Sequence, residues 1–353
     1  MERSRTSAAP RHAGFVEVDP APELFAVVMA TGIVSVAAYD HQYWRLGVAL
    51  SILAVVAFAV LGLRFLVWMA TRPARVAVLA RDPDVVLRMF TVVAACAVLG
   101  VRWDDYPVLL WLLGGLALAA WLMLAPLAGL AVGSRSGTQL REQVHGAWLL
   151  PSVASAGLAI TAADLAIHVR APSLVVIATG AWILGMALYL AVGWLIGWRV
   201  LARPPAPEEV WPDSWIVMGA LAITALAGAH ILAAVRTLGA PVGLADWTRP
   251  VTFLAWVLAS LWIPVLLYAA MWRVDQVAGS LRYHGGWWAA VFPLGMYSAA
   301  SAATAVELHL RSLSTISLVF FWIAVTVWAL VAAGLLRSAL APRGRVQGRT
   351  LGA

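Results

Sequence analysis

Ten long apolar runs follow one another along this chain, joined by short links that carry most of its arginines. They fall at 24–40, 46–63, 86–101, 107–132, 146–166, 172–198, 214–235, 250–271, 287–306 and 314–336. About 20 apolar residues of helix cross a hydrocarbon core ~30 Å thick. Inside lipid only helices and closed barrels satisfy their own backbone, and runs this continuous do not fit the ~10-residue alternating strands of a barrel. The expected fold is an all-α integral membrane protein with ten transmembrane helices. Only 12% of residues are charged, against about 25% in a typical soluble domain. That leaves no room for a sizeable soluble domain.

The net charge of +7 comes from arginine alone, since the chain contains no lysine. If the N-terminus is cytoplasmic, 18 of the 24 arginines fall in inner segments. The outer side then holds Arg45, Arg102, Arg170, Arg236, Arg249 and Arg311. This positive-inside bias predicts that both termini face the cytoplasm of a bacterial-type plasma (inner) membrane, and it argues against nucleic acid as a partner. Residues 1–22 form a polar tail with no signal-peptide core. Residues 23–337 are the transmembrane domain and 338–353 a second cytoplasmic tail. Outer links of five or six residues, such as 102–106 and 167–171, make spans 3 and 4, and spans 5 and 6, antiparallel neighbours. The whole then reads as five helical hairpins. The single Cys96 allows no intrachain disulfide.

Tryptophans concentrate in the even runs, Trp121, Trp182, Trp256 and Trp328 among them, while the odd runs carry small and hydroxylated residues. Aromatics suit lipid-facing surfaces; small polar residues suit either close helix contacts or a pore wall. An inner layer of odd helices lining a central pore, with even helices outside, is the expected arrangement. The pore-wall candidates are Thr31, Ser35, Ser152, Ser155, Thr224 and Ser298. Pro151 and Pro293 are expected to bend spans 5 and 9 and free a carbonyl one turn earlier.

An ionisable group at mid-membrane is costly and usually functional. Here Glu23, Arg64, Arg88, His145, Asp164 and Glu307 fall near span ends, where they are expected to reach water. Only His230 lies clearly within a span; it and His145 are the candidate titrating groups. A path without fixed carboxylates suits a passive anion or a neutral solute. No phosphate loop, HExxH or cysteine–histidine metal cluster is present, so no enzyme, cofactor or metal site is expected.

Three segments carry a family likeness: Phe25 to Ser35 in span 1; Trp256, Trp262, Ile263 and Pro264 in span 8; and Trp287-Trp288 followed by Phe292-Pro293 in span 9. Together they resemble the tellurite-resistance/C4-dicarboxylate transporter family. That family includes bacterial tellurite-resistance proteins, fungal malate and sulfite transporters and plant slow-type anion channels. The resemblance implies a homotrimer with one pore per subunit, closed by a phenylalanine on the ninth helix. The matching position here is Phe292. It implies anion transport, of small inorganic anions or C4-dicarboxylates such as malate, with a proton-linked dicarboxylate or sulfite carrier as the alternative. A membrane-embedded enzyme or receptor is the reading from another class. The depth of Phe292 depends on where span 9 starts: ~7–8 Å if at Trp287, ~15 Å if near Arg282.

Overall fold

In a computed structural model, residues 24–239 and 242–340 are described, and all their regular structure is helical. The tails expected at 1–22 and, from 341, at the C-terminus lie outside the described residues. Ten helices correspond to the ten apolar runs: α1 (Leu24–Asp40), α2 (Trp44–Thr71), α5 (Thr91–Arg102), α6 (Pro107–Gly133), α8 (Leu150–Val169), α9 (Pro172–Ala202), α10 (Ile216–Leu238), α11 (Val242–Gln276), α12 (Trp288–Glu307) and α13 (Ser312–Leu340). Among the described residues, nine helical segments are long and apolar enough to cross a membrane, and α1 is a shorter apolar helix. The short α3 (Pro73–Leu79), α4 (Pro83–Met89) and α7 (Gly137–Gln143) occupy the links. The end at which α1 begins and α13 ends is called the inner end below.

Several helices outrun their apolar cores. α11 starts at Val242 and not at 250, because Asp246 and Arg249 interrupt the apolar pattern without interrupting the helix. One face of its polar first turns is packed: Thr248 and Thr252 are buried and return their hydroxyls to Leu244 O (2.7 Å) and Thr248 O (2.7 Å), while Asp246 and Arg249 are exposed. The link at 203–212 is likewise built. Arg273 Nη1 donates to the carbonyls of Pro207, Glu208 and Val210, and Arg199 and Arg203 pair with Glu209.

Burial separates two layers. In the most apolar windows of the α4–α5, α8, α10 and α12 segments, 67, 78, 89 and 78% of residues are buried. In α2, α6, α9, α11 and α13 the shares are 22, 17, 28, 22 and 22%. Lipid tails are as apolar as leucine, so close packing and hydrogen bonds must hold such layers together. Both are present. α1 packs on α2, α5 on α6, α8 on α9, α10 on α11 and α12 on α13. Gly219 of α10 leaves room for the ring of Pro293 on α12: an added Cβ would lie 2.9 Å from its Cγ.

Pro151 does not bend span 5. It sits in the first turn of α8, after a 3₁₀ turn at Gly146–Leu149, where a missing N–H is one of the helix's unpaired donors anyway. Pro293 does lie inside α12. There it cannot donate to the carbonyl of Ala289.

Candidate functional site

Three spaces lie in series, the inner and central ones walled by residues from all five odd spans and the outer one by residues from spans 1, 3, 7 and 9. The inner one, about 420 Å³, is reached by Met29, Thr91, Leu150, Ile216 and Ala289. The central one, about 10 Å³, lies between Ile33, Ala97, Ile160, Ile223 and Met296. That is about the least that holds one water. The outer one, about 350 Å³, is lined by Val36, Val101, Leu226, His230 and Ala299 among others. On α1, α5, α10 and α12 the lining residues ascend the helix in the same order as the spaces.

Phe292 is fully buried. Ala289, Met296, Ala299 and Ala303 of α12 line one or another of these spaces. At 100° per residue Phe292 falls in the middle of the face they share, one turn above Ala289 and one below Met296. Small residues recur on the neighbouring odd helices, Ala94 and Ala95 on α5, Ala154 and Gly157 on α8, and Gly219 and Ala220 on α10, among larger buried ones such as Met29, Val93, Val153 and Met218. A 3₁₀ turn at Gly285–Trp287 precedes α12. Phe292 thus stands ~12 Å from the start of helical structure, between the two depths expected from sequence.

The predicted hydroxyls are elsewhere. Thr31, Ser35, Ser152, Ser155, Thr224 and Ser298 are all buried, and none lines one of the three spaces. Three tie an odd helix to its packed even neighbour: Ser35 donates to Gly47 O (2.8 Å), Ser152 to Gly185 O (2.8 Å), and Ser298 to Ser317 O (2.8 Å). Indoles of even helices make the complementary links. Trp121 donates to Ser155 Oγ (3.1 Å), Trp182 to Thr224 O (2.8 Å), Trp256 to Ser301 Oγ (2.9 Å) and Trp328 to Thr31 Oγ1 (3.0 Å). Each indole reaches the odd helix after its own, and the last returns to α1. Sequence marked these side chains as polar but could not say which face they take.

The ends of the axis carry more acid than the sequence suggested. At the inner end His145 Nδ1 meets Asp213 Oδ2 (2.7 Å) and its Nε2 meets Asp84 Oδ1 (2.5 Å). Arg88 reaches Asp84 (2.9 Å) and Asp213 (3.7 Å). Burial pulls the His145 pKa down, but hydrogen bonds and charge from Asp213 and Asp84 outweigh it and hold the imidazole up at about 9. At the outer end His230 Nδ1 meets Asp164 Oδ1 (2.6 Å), and Asp164 is buried, with Oδ2 unpartnered. Glu307 is buried too, held by both terminal nitrogens of Arg236. Asp164 and Glu307 therefore meet protein partners instead of water. Counting from a span end cannot show that Asp164 faces His230, 66 positions away in the chain. Asp40, Asp104 and Asp105 line the outer space beside Arg102. Arg102 stacks on Tyr39 (3.5 Å to the ring centroid) and donates to Ser35 Oγ (3.2 Å). Carboxylates thus line the outer space (Asp40, Asp104, Asp105) and the inner one (Glu142, Glu209, Asp213), and none lines the central one. Among the described residues no cluster suited to a metal ion occurs.

Comparison with known proteins decides the family. Residues 20–336 match the voltage-dependent anion channel family. The chain belongs to that family. An uncharacterised transporter of Methanocaldococcus jannaschii is 23% identical over 88% of this chain and 90% of its own length. A second from the same organism is 23% identical over 86% and 90%. An uncharacterised membrane protein of Mycobacterium tuberculosis is 35% identical over 162 residues, 45% of this chain and 81% of its own. The family consists of channels and transporters, so membrane transport of anions, not enzymatic chemistry, is the general activity.

Proposed function

We propose that each subunit carries anions along the axis enclosed by its five odd helices, with Phe292 as the gate. The observation that carries this reading is the series of three spaces along α1, α5, α10 and α12, with α8 joining them around the inner two, and the buried Phe292 on the α12 face between Ala289 of the inner space and Met296 of the central one. The single transport unit spans 23–337, and the inner end is the cytoplasmic one, as the arginine count favours. A homotrimer with one path per subunit follows from the resemblance. Small inorganic anions and C4-dicarboxylates such as malate are the substrates proposed.

The outer carboxylates favour a second reading, proton-linked carriage. Asp40, Asp104, Asp105 and Asp164 gather around His230 and Arg102. Purified protein in liposomes separates the two. A channel gives anion flux that follows the anion gradient and voltage alone, and His230→Gln leaves it intact. A carrier gives flux driven by a pH step, which His230→Gln abolishes. Liposomes with well-folded protein and no anion flux under either gradient would contradict both.

A further inference from the structure

A crevice of about 630 Å³ opens on the membrane-facing side of the molecule, away from the axis, where α11, α12 and α13 diverge near the inner end. Its walls are Ile263 and Leu267 of α11, Ala290 and Leu294 of α12, and Phe320 and Val327 of α13. We propose that it holds one acyl chain of an anionic phospholipid. Three features favour that occupant. On α11 the lining runs from Ile263 to Val274, a rise of ~16 Å at 1.5 Å per residue, which is close to one leaflet's half of a ~30 Å core. The deep end is apolar throughout, whereas the inner rim carries Trp211, Trp215 and Trp287, the residue type that marks headgroup level.

The third feature is charge. Arg273 stands at the same rim with its Nη1 fixed on three carbonyls and Trp211 beneath its guanidinium (4.9 Å). Among the described residues it makes no ion pair, so its charge is available to a lipid phosphate. Asp275 shares the rim and limits the pull to a modest preference for anionic heads. Ala290 and Leu294 lie roughly 160° around α12 from Phe292. An acyl chain in the crevice therefore braces the back of the helix whose front carries Phe292. The binding site itself stands whether or not Phe292 gates anything.

The test is lipid retention by the full chain. Protein reconstituted with phosphatidylglycerol or phosphatidylcholine is re-extracted, and bound lipid is counted by native mass spectrometry alongside melting temperature. The wild type is expected to keep about one phosphatidylglycerol per chain, in several-fold preference to phosphatidylcholine, with a matching rise in melting temperature. Ala270→Trp fills the crevice and should abolish both. Leu267→Trp, at a position half exposed to lipid, serves if Ala270→Trp fails to fold. Unchanged retention in a folded, crevice-filling variant overturns the proposal, as does equal retention of the two lipids. A change of oligomeric state in light scattering with lipid retention untouched also overturns it, because a second copy of the chain would then occupy the crevice.

Discussion

At the inner end Asp84 and Asp213 are each shared between Arg88 and His145, and Glu209 lies between Arg199 and Arg203. At the outer end Asp40, Asp104 and Asp105 face a cavity whose lining arginine, Arg102, is turned onto Tyr39 and Ser35. These three inner acids are neutralised in place, so they hold the links together and present little net field to the inner space. The outer acids outnumber the cations beside them. Burial, and then the charges of Asp164 and Asp105, push the Asp104 carboxyl up, as expected where negative groups crowd. In this account the electrostatic threshold for an anion lies at the outer mouth, and the steric one at Phe292.

Neutralising the outer mouth should have the largest effect on that contrast. Asp40→Asn with Asp104→Asn is expected to raise anion entry from the outer side roughly three- to tenfold at low salt, with the gain shrinking as salt screens the field. Glu142→Gln, which removes a single carboxylate from the wall of the inner space, should change flux less than about twofold under the same conditions. Equal effects at the two mouths would dissolve the distinction.

The inner cluster should instead reveal itself in stability. The His145 pKa is raised in the fold, from 6.5 to about 9. Its stabilising contribution is therefore complete below the unfolded value and is lost as pH rises through about 9. The melting temperature in detergent should fall by a few degrees over that interval. His145→Asn should lower it at pH 6 and flatten the dependence. A wild-type melting temperature that is level or rising from pH 6.5 to 9 would show that the imidazole is not held charged.

The smallest effects are expected between the layers. Trp121→Phe or Ser152→Ala should each cost about 0.6 kcal/mol, the average worth of an interhelical hydrogen bond in a membrane. Neither should alter anion selectivity, because neither side chain lines one of the three spaces. A changed chloride-to-nitrate ratio in Ser152→Ala would return that hydroxyl to the path.

The apolar runs were legible in the sequence because lipid demands spanning length, and the small residues of the odd runs marked the more buried helices. Trp121, Trp182, Trp256 and Trp328, expected to face lipid, turn instead to the odd helices. Side-chain direction was not legible. Ser152 and Ser298 are of a type that suits a pore wall or a helix contact equally, and only the fold shows them turned to α9 and α13. The extension of α11 across Asp246 and Arg249 was hidden because hydropathy reports lipid contact, not helix continuity. The Asp164–His230 and His145–Asp84 pairs join residues more than 60 positions apart, and no local pattern announces them.

Anion conductance of Phe292→Ala, set against the wild type in planar bilayers with chloride, nitrate and malate, tests the central claim most directly. With the ring gone, conductance should rise at least about tenfold, equivalent to ~1.4 kcal/mol off the barrier. A variant that is merely destabilised, by the ~3–5 kcal/mol typical of a lost core phenylalanine, while its conductance stays at the wild-type level would show that Phe292 packs the core and gates nothing.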